Sequence, residues 1–510
     1  GTHCVISKYI FEEEDERCLP LYRSVPQARG KALLLVIILG FGGNFQSGYH
    51  LTSLSSPTPF IQSFINSSWY ERWKEVPSPE TVTLLWSFIV ASFAIGGFCG
   101  CLCVKFITAI MGRKKGVICS GCIAVVAAVI MLSSKPAKSF EMIIVARILA
   151  GFSAGFGWSL HIMYLSEISP KSIRGRVTIT SANFTSLGGF VGQLLGLSEI
   201  LGREDLWNVA LSVNACFSVL LVLVFPFLPE SPRYLFIEKG DKEACRKALQ
   251  TLWGPGSYKQ EMDEMLIEQE RIDAVGRKNP LQLLKDRTVW LQLVTIVLIY
   301  WFNQTSGMSV ITTFSFDIFM QSGVPENMIR YVTLGLGVCQ FITSMFSSFL
   351  IERIGRRPLV WGGYAAMCTS WVVVTILLNV KGLSDWVSYI SAAMIILILV
   401  FFAGGPAVGT LCGEIFIQSD RMAASAIVGM LRWLAIAVMT FSFPFLINSL
   451  GSYTFVLLAC FCLLAFLYTF FILPETKGKT IVEITEEFKA IMVCRKSSSE
   501  ETSDTMMSRV

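Results

Sequence analysis

Three short charged motifs occur twice in this chain, in the same order. The first set is Gly112-Arg113-Lys114, then Glu167 and Arg174 within EISPKSIR, then Pro229-Glu230-Ser231-Pro232-Arg233. The second set is Gly355-Arg356-Arg357, then Glu414 and Arg421 within EIFIQSDR, then Pro474-Glu475-Thr476-Lys477. Corresponding motifs lie 243, 247 and 245 residues apart. Three motifs held in step over such a distance mark a duplicated unit, so the chain must fold as two similar halves.

Between these motifs the sequence is strongly apolar. Of 510 residues 53% are hydrophobic and only 15% charged, with a mean hydropathy of +0.58. Soluble proteins carry about 25% charged residues. Forty Gly and 37 Phe fill the difference, which suits helices packed in lipid. About 20 apolar residues cross a bilayer. Twelve runs qualify: 31–51, 84–106, 117–133, 140–163, 177–200 and 207–228, then 290–314, 329–351, 359–379, 387–412, 422–447 and 453–473. The third is the shortest. The first 30 residues are polar and show no signal-peptide pattern. Residues 229–286 read as short amphipathic helices, such as DKEACRKALQTLW and QEMDEMLIEQERI, and the Ser-rich tail after 474 reads as disordered. These divisions predict a tail at 1–30, six-helix domains at 31–228 and 287–473, a linker at 229–286 and a tail at 474–510. A duplicated, membrane-spanning half of this kind points to a secondary transporter with its site where the repeats meet.

Lys and Arg of the short loops fall on one side, together with the linker and both tails, and the positive-inside rule makes that side cytoplasmic. The longest loop on the other side, 54–80, holds a glycosylation sequon at Asn66. Sequons at Asn183 and Asn303 fall inside spans and should stay unmodified. Most of the 15 Cys sit in apolar runs and read as small buried hydrophobes. With three His residues there is no metal-ligand spacing, and no cofactor or metal is expected. No basic stripe points to nucleic acid. No catalytic triad or phosphate loop points to an enzyme. The expected partners are a small solute and the lipid bilayer; oligomeric state is left open.

Glu167 and Glu414 end the fourth and tenth spans, where a carboxylate is costly unless paired. Their expected partners are Arg113 and Arg174 in one half, and Arg356 and Arg421 in the other, pairs that would clamp the halves together when the cytoplasmic side is closed. Glu230 and Arg233 belong to the same network. The alternative is that these charges are only topological anchors.

The strings GRKK, EMIIVARILAG, YLSEISPKSIRG, PESPRYL, ERIGRRPL and LPETKGKT resemble the sugar-porter branch of the major facilitator superfamily, from about residue 30 to 485. The 54–80 loop and TLLWSFIVASFAIGGF resemble the class II facilitative hexose transporters, a group that includes fructose and urate carriers. The resemblance implies an all-α membrane protein, twelve transmembrane helices in two pseudo-symmetric six-helix domains, a cytoplasmic helical bundle between them, and alternating access. It also implies site residues. Gln304 and Gln193 match sugar-contacting glutamines, Asn303 stands in for a third, and Ser309 replaces an Asn of the seventh span. An amide offers donors and an acceptor to hydroxyls; it can equally bridge two helices.

Departures from the family pattern are Gln340 for Asn, Gly409 for Trp or a small residue, Ile436 for Asn, and Arg432 for Asn or His. Gly409 would enlarge the pocket. Arg432 lies mid-span and either faces a cavity, where it could fork onto an anion or stack on a ring, or is held by helix carbonyls or snorkels. His50 stands where proton symporters of the superfamily have Asp and uniporters Asn. A neutral role is favoured over a proton role, and His161 reads as a packed polar residue. The leading expectation is a plasma-membrane uniporter of hexose, with a carrier of a planar or anionic heterocycle such as urate as the alternative and a non-transporting sensor as a third reading.

Overall fold

The computed structural model describes residues 28–169, 174–402 and 405–493. Within them the regular structure is helical and there is no strand. Eight helical segments are long and apolar enough to cross a bilayer, and two of these, Pro79–Ser134 and Ser419–Ile472 with 56 and 54 residues, each hold two spans. Arg174–Leu195, and Asp385–Phe401 continued by Gly405–Ile415, complete the twelve.

Glycine sets the hairpins of the repeated motifs. Gly112 has φ +81° and interrupts the long Pro79–Ser134 segment between the second and third spans. Gly355 has φ +98° and separates Glu326–Ile354 from Arg356–Asn379. Other residues rarely adopt this left-handed backbone.

Several spans are broken rather than straight. The first is Ala28–Gly42 followed by Asn44–Thr52, and the seventh is Trp290–Thr305 followed by Met308–Thr313. A break frees carbonyls that lipid cannot solvate, so side chains must satisfy them. Gln46 Nε2 donates to the Phe41 carbonyl at 3.3 Å. Trp371 Nε1 donates to the Ser306 carbonyl at 2.9 Å. Where spans cross, glycine lets backbones touch. A Cβ on Gly151 would lie 2.0 Å from the Phe93 carbonyl oxygen of the second span, and one on Gly48 1.9 Å from that of Thr185 in the fifth.

The linker helices are Lys242–Trp253, Lys259–Val275 and Pro280–Lys285. Two expectations are corrected. The 54–80 loop is largely a helix, Thr58–Trp73, because Ile61 and Ile65 bury a stripe on the bundle. The tail after 474 is helical over 481–493. There Thr480 and Glu483 cap each other's backbone N–H groups, at 2.8 and 3.3 Å, and Ile484 and Phe488 are buried.

Candidate functional site

The repeated motifs build two copies of one charge cluster. In the first half, Arg113 donates from Nη2 to Glu167 Oε1 at 2.9 Å and from Nε to both carboxylate oxygens at 3.3 and 3.2 Å. Glu167 also accepts from the Ser231 hydroxyl. Glu230 accepts the backbone N–H of Lys114 at 3.0 Å and of Ser231 at 2.9 Å. In the second half, Arg356 contacts Glu414 at 2.8 Å, and Glu414 also accepts from the Thr476 hydroxyl. Glu475 accepts the backbone N–H groups of Arg356 at 3.1 Å and Arg357 at 3.2 Å. Each cluster thus places a carboxylate on the N-terminus of the helix that leaves the glycine turn, where the helix dipole favours negative charge.

Arg113–Glu167 and Arg356–Glu414 form as expected, whereas the clamp between the halves, expected for a state closed on the cytoplasmic side, is not formed in this arrangement. Both pairs lie within one half, and among the described residues no ion pair joins the halves directly at this end. Arg421 does not pair with Glu414; its Nη2 meets the Phe416 carbonyl at 3.5 Å and its Nε has no acceptor. The Arg174 side chain lies outside the described residues. Arg113 also pairs with Glu238 at 2.9 Å and Arg233 with Glu268 at 2.7 Å, so both arginines serve the linker. Lys105 Nζ donates to Asn279 Oδ1 at 2.9 Å, and Lys278 pairs with Asp286 at 2.6 Å and Asp420 at 3.2 Å. The linker therefore holds the second span of one half and the eleventh of the other. Asp286, beside Lys278 and Thr288, is held well below the usual carboxylate range, and Lys278 is raised, chiefly by Asp286.

At the opposite end the halves do meet. Ser55 and Ser315 share a hydrogen bond, Arg330 donates to the Ser56 carbonyl at 3.2 Å, Tyr331 donates to Glu199, and Asn448 to Thr83 at 3.4 Å.

Between the ends, the fifth and eighth spans bring two of the expected amides to the interface of the halves. Gln193 is 1% exposed, and neither of its amide atoms has a partner. Its Oε1 lies so close to the eighth span that a Cβ on Gly337 would meet it at 1.9 Å. Gln340 Oε1 is buried without a partner near Gly189. Ser309 Oγ is likewise unpartnered, and Gln304 is half-buried. Asn303 lies elsewhere than these amides: it lines a small cavity of the second half with Tyr364, Phe402 and Val408, where its Oδ1 and the Tyr364 hydroxyl are both unpartnered. Gly409 is exposed and a Cβ there would meet nothing within 4 Å.

Arg432 is partly buried and has no carboxylate partner among the described residues. Its guanidinium stacks 4.8 Å from the Trp158 ring of the fourth span and 5.7 Å from Trp433. It thus rests on an aromatic face of the other half, not on helix carbonyls. Trp158 is missed by the sequence reading, since it is one of several aromatics in the fourth span and nothing in its spacing sets it apart. Arg147 was also missed, although it lies in one of the motifs. His50 Nε2 lies 3.1 Å from Asn214 Nδ2, a packed amide pairing. His161 is fully buried, as a packed residue should be, yet both its ring nitrogens lack partners. Asn66 is exposed on Thr58–Trp73.

The family model for "Sugar (and other) transporter" matches residues 35–488. The chain is 39% identical to Solute carrier family 2, facilitated glucose transporter member 9 of Homo sapiens over 479 residues, 92% of this chain and 89% of that protein. It is 36% identical to member 5 of Rattus norvegicus, covering 89% of this chain and 91% of the relative. It is also 36% identical to member 11 of Homo sapiens, covering 92% and 95%. Its fold matches the xylose transporter XylE from E. coli in a partially occluded inward open conformation, with TM-score 0.73 and 18% identity over 88% of this chain and all of the other. The inward open structure of the same protein matches with TM-score 0.73 at 20% identity, over 90% of this chain and 99% of that one. The chain is a multi-pass membrane transporter of the major facilitator fold, not an enzyme, and belongs to the sugar (and other) transporter family.

Proposed function

We propose that the chain is a facilitative carrier that moves hexose, such as glucose or fructose, down its gradient by alternating access. The observation that carries this reading is the set of unpartnered amide atoms of Gln193 and Gln340 between the halves. Buried polar groups are nearly always hydrogen-bonded, so amides without protein partners suit a hydroxyl-rich ligand. Gln304 and Ser309 of the seventh span extend that set, and Gly409 leaves room beside it. Names of the relatives support a sugar: they are facilitated glucose transporters. Direct contacts between the halves at one end, with the ion pairs kept inside each half at the other, fit a state open toward the charged end. We take that end as cytoplasmic, with both tails there, the membrane as the plasma membrane, and Asn66 as an outer glycosylation site. The division into 31–228, linker 229–286 and 287–473 is part of the same reading.

A second reading, a planar or anionic solute, is favoured by Arg432, whose guanidinium lies 4.8 and 5.7 Å from two indole rings and has no carboxylate partner among the described residues. Radiotracer uptake into proteoliposomes separates the two. The hexose reading expects D-fructose or D-glucose uptake above that of L-glucose. Uptake of a purine-dione anion without hexose uptake would replace it by the second reading.

A further inference from the structure

The fourth span holds another buried cation, which the hexose site does not use. Arg147 is 1% exposed. Its Nη1 donates to the His50 carbonyl at 3.0 Å, and its guanidinium lies 4.8 Å from the Phe93 ring. Its Nε is buried with no acceptor. A guanidinium cannot shed its proton in a protein, and a buried charge is costly unless paired. One carbonyl and one ring face leave most of its five donors without an acceptor that carries charge.

Arg147 borders a cavity inside the first half that no carboxylate lines. His50, Gln46 and Asn214 give that cavity its other polar groups, and small side chains such as Ala124, Ala127 and Ala150 leave it open. Gln46 Nε2 donates to the Asn214 carbonyl at 2.9 Å, and the Asn214 amide donates back to Gln46 Oε1 and to His50 Nε2. That arrangement makes His50 Nε2 the acceptor and leaves Nδ1 to carry the ring proton, and the amide hydrogens of Gln46 and Asn214 are all spent on one another, on His50 and on the Phe41 carbonyl, so the free charge in this polar, carboxylate-free cavity is that of Arg147.

We propose that this cavity binds a small monovalent inorganic anion of the size of chloride. Arg147 supplies the charge, and the His50 ring, held by Asn214, supplies polar wall. The site lies within one half, so it moves with that half as a unit and does not depend on which solute the carrier takes.

The test is thermal unfolding of the purified full chain in detergent, titrated with sodium chloride against sodium gluconate at constant ionic strength. A ligand that binds only the folded state raises Tm saturably. Chloride and bromide should do so and gluconate, too large for the cavity, should not. Arg147→Gln should abolish the difference. Asn214→Ala should raise the half-saturating concentration by about tenfold, the loss of one charge-linked polar contact. Should Arg147→Gln fail to fold, crystals of the unaltered protein soaked in bromide decide the matter by anomalous density beside Arg147. Equal Tm in chloride and gluconate, a chloride effect that survives Arg147→Gln, or no bromide peak at Arg147 would each overturn the proposal.

Discussion

At the scale of single residues, the amides and Arg432 make opposite demands. Gln193 contacts the eighth span through a glycine gap, so it senses both halves. Removing its amide should cost a hydroxyl ligand about one to two hydrogen bonds, or roughly 1–3 kcal/mol. Gln193→Ala should therefore raise the KM for hexose by about tenfold or more, measured as initial uptake rates. Arg432 adds a charge that a neutral hexose satisfies poorly. Arg432→Asn should raise hexose uptake and weaken any anionic substrate. Unchanged uptake of both would make its stacking on Trp158 purely structural. Gln193, Gln304 and Gln340 were legible because they match or sit beside a family pattern in the sequence. The cavity of Asn303 was not legible, since no spacing tells which face of a broken helix turns toward the ninth span. Nor was Trp158 paired with Arg432, because they lie 274 residues apart and meet only when the halves are assembled.

At the scale of elements, the two charge clusters differ in burial, and that orders their energies. Arg113 and Glu167 have side chains 6% and 14% exposed, against 18% and 26% for Arg356 and Glu414. Removing one partner of a buried pair costs about 3–5 kcal/mol, while exposed pairs contribute far less. Glu167→Gln should lower the Tm more than Glu414→Gln in the same detergent. Equal losses would show that burial does not set their weight. Since the pairs lie within halves, Glu414→Gln should slow transport through a loosened second half, with surface expression largely kept. Wild-type rates would contradict that. The linker tether should tolerate mild pH change. Asp286 is depressed, so its contribution is present above the ordinary carboxylate pKa and disappears only as pH falls through its lower folded value. Lys278 is raised, so its contribution is present below the ordinary lysine pKa and disappears as pH rises through its higher folded value. Between pH 5 and 9 (roughly, from the reference values) the link should hold, and Lys278→Ala should remove it. Hydrogen exchange of Pro280–Lys285 reads this directly. The motifs announced these clusters in the sequence, but not their partners within each half. Charge repeats fix that an arginine and a glutamate lie near one another; the hydroxyls of Ser231 and Thr476, which complete each glutamate's shell, look like ordinary loop residues.

At the scale of the whole molecule, duplication and hydropathy carried the fold. Among the described residues, helices occupy the twelve apolar runs, as expected where lipid forces backbone groups to pair within each helix. The misreadings were at the polar margins. Residues 58–73 and 481–493 read as loop and tail because neither forms an apolar run long enough to cross a bilayer, yet Ile61, Ile65, Ile484 and Phe488 dock each helix on the bundle. Contacts between the halves at one end, with ion pairs kept inside each half at the other, are the basis on which we propose a carrier open on one side. Such a carrier equilibrates its solute when no titrating carboxylate couples the cycle to protons, and His50 is tied to Asn214 rather than to an acid.

The purified chain in liposomes, given radiolabelled D-fructose or D-glucose with and without an imposed proton gradient, tests this most directly. Uptake should be saturable, stop at equal concentrations inside and outside, ignore the gradient, and fall in Gln193→Ala. Hexose uptake no greater than in protein-free liposomes, or accumulation beyond equality driven by the gradient, would contradict the account.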